Sequence, residues 1–490
     1  MPGILADQPY PHQMKTTKLL IFLSIVSLVT MRCDDQPSRV TDWEFNDLWY
    51  MDGWDIRKKN DFQRYIIDST QLTGLVIVHK GKLVHAYGDI WDNSYIASCR
   101  KSVLAMIYGE YVLNGRIDLG KTLGEMGIDD VTILLPAEKK ARIRDLITAR
   151  SGVFLNGSNA GDFREFAPER GSVKPGEYWL YSNWDFNLAG FIFEEETGKN
   201  IYDEVERQLA IPLGMQDWDR SLQRKSGDTT VSRYLAYHMW FSTRDMARIG
   251  QLMLNRGKWN GKQIIAEEWI RRITTKITSA EDVKKNVPIM AEMKYDQGYG
   301  YMWWLWENVP NPNMEGAYSA FGAWGQGITV YPRMDVVLAY KTNSIYRRSN
   351  RKERLNELIV KVAAMYDAEM GAVKGKLYDS FRGKPLNEAK RDFHEAREKN
   401  PDMDLELFMD CLGCEFLGQT DYSRALAVFK LNAEAYPQSW NAYKSLAEGY
   451  EQSGDTRNAM KCYERCLEIN PGNGHTRERL RNLRSKHLTV

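Results

Sequence analysis

Ser98-Cys99-Arg100-Lys101 opens an apolar helical pattern that runs to Asn114-Gly115, and Tyr181-Ser182-Asn183 follows later in an aromatic stretch. Three residues is close to one helical turn, so a helix starting near Ser98 sets its hydroxyl and the Lys101 amine on one face. A serine hydroxyl is a weak nucleophile at neutral pH and needs an adjacent base. Lysine serves as that base only where burial or a neighbouring cation lowers its pKa. Ser-x-x-Lys also arises by chance, and the competing reading makes Ser98 a helix N-cap and Lys101 a solvated side chain. Three features favour chemistry. Ser98 begins a helix after a strand-rich segment, where a nucleophile gains from the helix dipole. Pro175-Gly-Glu-Tyr-Trp-Leu-Tyr181-Ser-Asn183-Trp-Asp-Phe-Asn-Leu-Ala-Gly190 sets a Tyr-x-Asn just ahead of a helix. Ala317-Tyr-Ser-Ala320-Phe-Gly-Ala-Trp-Gly325-Gln-Gly327 leads directly into an apolar hairpin.

Outward from these segments, Leu75-Val-Ile-Val-His79, the Lys80-Gly81 turn and Leu83-Val-His-Ala-Tyr87 predict a β-hairpin. Gly327 to Pro332 and Val336 to Tyr340, around Arg333-Met-Asp335, predict another, and Arg351 to Asp367 an amphipathic helix returning across the sheet. Between them, Phe186 to Glu196 is predicted helical with a C-cap at Thr197-Gly198, and Ser242-Thr-Arg-Asp245 caps a helix over Met246 to Asn255. Asp42 to Asn60, with Trp43, Trp49 and Trp54, predicts a lead-in loop and helix. Strands at both ends with helices between them predict an α+β fold: an antiparallel sheet flanked by helices, with an all-helical insertion.

The C-terminal part differs. Asp421, Ala425, Phe429 and Pro437 recur 34 residues later as Asp455, Ala459, Tyr463 and Pro471, and Leu412 and Phe416 as Leu446 and Tyr450. That period of paired helices with terminal proline resembles a tetratricopeptide repeat and predicts an all-α repeat domain. Ala389, Phe393, Ala396 and Pro401 form a degenerate earlier copy. Such arrays present a groove for a protein partner. The six cysteines are Cys33, Cys99, Cys411, Cys414, Cys462 and Cys466. The last four suggest zinc by spacing, but the repeat register makes Cys466 a small packing residue and the others ordinary helix positions, so no metal is expected.

At the N-terminus, Lys15 and Lys18 precede the apolar run Leu19 to Val29, too short for a comfortable membrane span. The segment reads as an export signal from Met14, against a buried helix as the competing reading. Cys33 is the candidate lipid-attachment residue of a bacterial lipoprotein, although Arg32 departs from the small residue usual before it. The expected location is exported, periplasmic or membrane-anchored through Cys33. The expected organisation is signal and linker over 1–38, a catalytic domain over 39–370, and a helical linker with repeats over 371–490, the repeats at about 405–437 and 440–473. A net charge of +1 and the lack of a basic block or Gly-rich phosphate loop give no reason to expect nucleic acid.

The three segments around Ser98, Tyr181 and Ala320, in that order, resemble the serine β-lactamase/penicillin-recognising family in its class C-like branch, and more closely its esterase and 6-aminohexanoate-dimer hydrolase relatives. Ala149-Arg-Ser-Gly-Val153, Arg170 to Gly176, Pro212-Leu-Gly-Met215, Ser242 to Arg248 and Gly298 to Trp304 keep order and spacing with it, over roughly residues 60 to 370. The resemblance implies an acylated nucleophile at Ser98, with Lys101 accepting or holding its proton. It implies that Tyr181 shares the base role and later activates water or protonates the leaving group. Asn183 would hydrogen-bond Lys101 or the substrate amide. An oxyanion hole would join the Ser98 N–H to one from Ala320-Phe321-Gly322. Relatives that process β-lactams carry a lysine on that third strand. Ala317-Tyr318-Ser319 has no cation, which favours a small ester, or an amide without a carboxylate anchor, over a β-lactam. Trp184, Trp303, Trp304 and Trp324 are candidates for an apolar cleft, with core packing as the alternative for each.

No Gly-x-Ser-x-Gly elbow occurs. His79 and His85 fall on the first hairpin in structural positions, and His238 is structural or a neighbour of the site. No cofactor is implied. The expected function is an exported serine hydrolase acting through a Ser98 acyl-enzyme. The alternative is a catalytically silent scaffold of this family, acting as sensor or assembly module through its repeats.

Overall fold

A computed structural model describes residues 43–44, 51–346 and 348–487. The expected export signal and Cys33 lie outside the described residues. Residues 41–407 form one compact unit and 408–490 belong to another.

The first unit is built on helix α1 (Ile56–Ser69), strands β1 (Gly74–His79) and β2 (Lys82–Gly88), helices α2 (Cys99–Leu113), α3 (Asn183–Thr197) and α4 (Thr243–Leu254), strands β3 (Asp296–Tyr299), β4 (Trp304–Glu307), β5 (Tyr318–Gly322), β6 (Gln326–Tyr331) and β7 (Val336–Lys341), and helix α5 (Lys352–Ala364). The seven strands form one sheet in the order β2-β1-β7-β6-β5-β4-β3, every neighbour antiparallel. The first hairpin thus pairs with the last strand, and both ends of the unit close one sheet. Its turn falls at Lys80 and Gly81, both with positive φ (51° and 75°), the backbone a two-residue hairpin requires.

Alternation along the strands divides the core in two. Val76, Val78, Ile328, Val330, Val337 and Ala339 face the large helical region between β2 and β3. Leu75, Ile77, Val336, Leu338 and Tyr340 face α1 and α5, packing on Phe62, Ile66, Leu358, Ile359 and Val362. β1, β6 and β7 are buried on both faces, which explains why they read as continuous apolar runs. The intervening region is mainly helical, and also holds three two-stranded ribbons, among them Ser94–Tyr95 paired with Trp240–Phe241. α2 runs through this region with twelve of its fifteen residues buried, as its nearly uniform apolarity requires.

One buried carboxylate ties three parts of this region together. Asp130, 1% exposed, accepts from Trp184 Nε1 (2.7 Å), Ser232 Oγ (2.6 Å) and the Arg233 amide (2.7 Å). Asp130→Ala leaves those donors without an acceptor and is expected to cost about 3 kcal/mol, read by denaturant unfolding followed by tryptophan fluorescence. A loss under about 0.5 kcal/mol contradicts that role.

Helices Ala368–Gly383 and Leu386–Lys399 fall within the first unit, although the expectation above groups them with the repeats. In the second unit, helices Tyr422–Ala435, Trp440–Gln452, Thr456–Ile469 and Gly474–His487 follow one another across short turns. The 34-residue period has a local cause. Asp421 and Asp455 each cap a helix by accepting the amide three residues on, from Arg424 and Asn458. Ala425, Ala459, Tyr463 and Cys466 are fully buried.

Candidate active site

The turn carrying Ser98 is fixed on two sides. Ile96 N–H donates to Met239 O, continuing the Ser94–Tyr95 ribbon, and Ala97 adopts a left-handed conformation with φ 48°. That backbone costs a non-glycine residue roughly 1 kcal/mol or more and aims the next residue sharply onto the first turn of α2. Ser98 holds the N-cap position of α2, but its side chain makes no capping bond, and its Oγ lies 3.0 Å from Lys101 Nζ. Its own N–H has no acceptor among the described residues.

Lys101 is 1% exposed. Its Nζ is 2.7 Å from Tyr181 OH and 2.7 Å from Asn183 Oδ1, and sits over the rings of Tyr181 (4.1 Å) and Phe186 (4.6 Å). Among the described residues no carboxylate pairs with it. Burial first, and the Arg100 guanidinium second, hold its pKa well below that of a free lysine. Burial pushes the Tyr181 phenol the other way, with a hydrogen bond to Ser98 opposing the rise. The neighbouring Cys99 thiol is fully buried and also pushed up, which keeps it an unreactive thiol.

Asn183 is the first residue of α3 rather than a residue ahead of it. Asp162 makes the difference: its carboxylate accepts the Asn183 amide (3.0 Å) and satisfies the first turn from a distant loop. Asn183 Nδ2 donates to Ala160 O (2.9 Å), which leaves Oδ1 turned to Lys101. Ser98, Lys101, Tyr181 and Asn183 therefore meet in one place.

β5 reaches this place at its end. A Cβ on Gly322 would fall 2.8 Å from Ile96 O, so glycine permits the strand to abut the serine turn. Ala320 is fully buried, while Phe321 and Gly322 are partly exposed. Ala317-Tyr318-Ser319 lies further back: Ser319 is buried and bonded to Trp306 Nε1 and Thr329 Oγ1. The strand meets Ser98 beyond that triplet, and no residue of β5 is a cation.

The tryptophans separate. Trp184 lines no cleft, contrary to the expectation: it is fully buried, bonded to Asp130 and set edge-on to Tyr234. Trp303 is likewise buried, against Tyr318. Trp304 stacks on Tyr181 (5.6 Å between centroids, 28° between planes) and forms a wall of the site. Trp324 is 43% exposed, 5.8 Å from Tyr95, and lines a surface cleft with Asn350, Arg351 and Arg354. His238 shares that rim through Tyr95 OH (2.8 Å), and burial and Arg100 lower its pKa to about 4, leaving it neutral. Asp162 and the Ala160 carbonyl were not legible in the sequence, because no periodicity links them to either motif, whereas Phe186 follows Asn183 by one helical turn.

The match to a 6-aminohexanoate-dimer hydrolase of Paenarthrobacter ureafaciens is 23% identical over 272 residues, spanning 50% of this chain and 65% of that enzyme. An uncharacterized protein of Alkalihalophilus pseudofirmus is 24% identical over 271 residues, 51% of this chain and 73% of its own. A solved penicillin-binding protein homologue from Caulobacter crescentus aligns with a TM-score of 0.47 at 14% identity, over 66% of this chain and 98% of that one. The tetratricopeptide repeat model matches residues 440–473. The β-lactamase family model matches residues 71–361, more than half of the chain and all of the segments that build the site, and the chain belongs to that family of serine hydrolases.

Proposed function

We propose that this protein is an exported serine hydrolase that cleaves a small ester or amide through an acyl-enzyme on Ser98. One observation carries the reading: a buried lysine amine, unpaired with any carboxylate among the described residues, lies within hydrogen-bond distance of a serine hydroxyl, a phenol and a fixed amide oxygen. A neutral amine has two N–H groups and one lone pair. Donation to Asn183 Oδ1 and Tyr181 OH leaves the lone pair for the Ser98 proton.

Attack by Ser98 Oγ on the scissile carbonyl passes its proton to Lys101 Nζ. The oxyanion is met by the free Ser98 N–H and by an N–H from the end of β5 at Phe321–Gly322. The proton then moves through Tyr181, held as a phenol by its raised pKa, to the leaving group. Water repeats the steps in reverse order to release the acid. Lys101 is the better base of the pair, since its pKa falls toward neutrality while that of Tyr181 rises away from it. A hydrolytic reaction accords with the hydrolase named in the Paenarthrobacter relative. The repeats are the proposed docking site for a protein partner, and Cys33 the proposed anchor.

A fluorophosphonate probe tests this directly. Peptide mapping is expected to find the adduct on Ser98 of the full chain, and no adduct on the Ser98→Ala protein. An unlabelled wild-type protein, or a label elsewhere, overturns the assignment and favours the silent scaffold.

A further inference from the structure

Lys352 opens helix α5, and the catalytic reading above gives it no task. Its Nζ sits 4.7 Å over the ring of Trp304 and 6.0 Å from that of Phe321. Among the described residues its one hydrogen-bond partner is the thioether of Met290, at 3.5 Å. A thioether is a weak acceptor and aromatic faces only partly replace water around an ammonium. Among the described residues Lys352 makes no ion pair. Glu353 beside it favours the charged form without bonding it, and burial brings the pKa to about 8, so the ammonium still predominates at neutral pH. Arg351, the preceding residue, also has no ion pair among the described residues and lines the cleft beside Trp324. A partly buried cation left without an anion is costly unless something supplies one.

The position says what would supply it. Trp304 is the ring stacked on Tyr181, and Phe321 belongs to the strand end that abuts the Ser98 turn. Lys352 and the candidate catalytic phenol therefore both pack on the same indole. Its ammonium is also at the N-terminal end of a thirteen-residue helix, whose dipole adds to the attraction for negative charge.

We propose that Lys352 is the counter-ion for a carboxylate on the substrate, so that the enzyme prefers esters or amides whose acyl part ends in a carboxylate a short chain from the scissile bond. This rests on the serine hydrolase reading and narrows its substrate class. The ammonium supplies attraction and orientation together: Trp304 and Phe321 flank it, and the carboxylate completes its shell.

The test compares mono-p-nitrophenyl glutarate with p-nitrophenyl valerate, similar in length but uncharged. Wild type is expected to favour the glutarate ester in kcat/KM. Lys352→Met is expected to lower the glutarate-to-valerate ratio at least tenfold, and Lys352→Arg to keep it within about threefold. A ratio near one in wild type, or one unchanged by Lys352→Met, overturns the proposal. Should the methionine variant fail to fold, Lys352→Gln gives the same comparison. Calorimetry separates this outcome from failure of the hydrolase reading, because it needs no turnover. Monomethyl glutarate should bind the Ser98→Ala protein at least tenfold more tightly than the Ser98→Ala/Lys352→Met protein, and equal binding overturns the proposal even if the fluorophosphonate labels Ser98.

Discussion

Lys101→Met and Lys101→Arg should each lower kcat/KM by about 10³-fold, toward the upper part of the range for loss of a general base. Methionine fills the volume without a lone pair. Arginine keeps the charge but stays protonated at any working pH, so it cannot take the Ser98 proton. Retention of activity by Lys101→Arg would show that the amine serves only as a fixed charge. The pH profile gives an independent reading. Catalysis needs the unprotonated amine, so kcat/KM should rise as pH passes through the lowered pKa of Lys101 and level off well below the 10.5 of a free lysine. Arg100 contributes to that lowering, and Arg100→Met should move the rising limb to higher pH. A limb still climbing at about pH 10 contradicts the assignment. Stability should carry the same sign. Between the two values the unfolded chain holds a proton that the folded one lacks, so folding becomes more favourable as pH rises across that window. Lys101→Met should flatten that slope.

The sheet and its helices were readable because strands buried on both faces show as short apolar runs, and because the punctuation is local. Lys80-Gly81 needs only two residues to turn, and Ser242 accepts the Asp245 amide within one helical turn. The Ser98–Lys101 spacing was readable for the same reason, since one turn of α2 sets both. The partners that decide its chemistry are remote. Asp162, twenty-one residues before Asn183, moves the helix start to that residue, and Arg100 tunes Lys101 through space. Tryptophan roles were unreadable in principle. Trp184 and Trp304 have the same hydropathy, yet Asp130 draws one into the core while Tyr181 holds the other at the site. The place where β5 meets the serine turn depends on register and on a glycine contact, which sequence spacing does not give.

Tyr181→Phe should separate the two jobs of the phenol. The variant keeps the ring, and with it the stack on Trp304 (5.6 Å), the contact with Phe186 (4.8 Å) and the face beneath Lys101 (4.1 Å). Only the hydroxyl is lost, with its 2.7 Å bond to Lys101 and its hydrogen bond to Ser98, at a stability cost of about 1 kcal/mol. Its catalytic effect should depend on the leaving group. An amide nitrogen departs only when protonated, so hydrolysis of an anilide or alkyl amide should fall about 10³-fold. p-Nitrophenolate departs as an anion and needs no proton, so acylation by a p-nitrophenyl ester should fall about tenfold, by loss of the hydrogen bonds to Lys101 and Ser98. Equal losses on both substrates would place Tyr181 at the Ser98 proton instead, as a partner of Lys101 in forming the nucleophile. Because the aromatic contacts survive in either case, a change in that ratio reports the path of the proton rather than damage to the pocket.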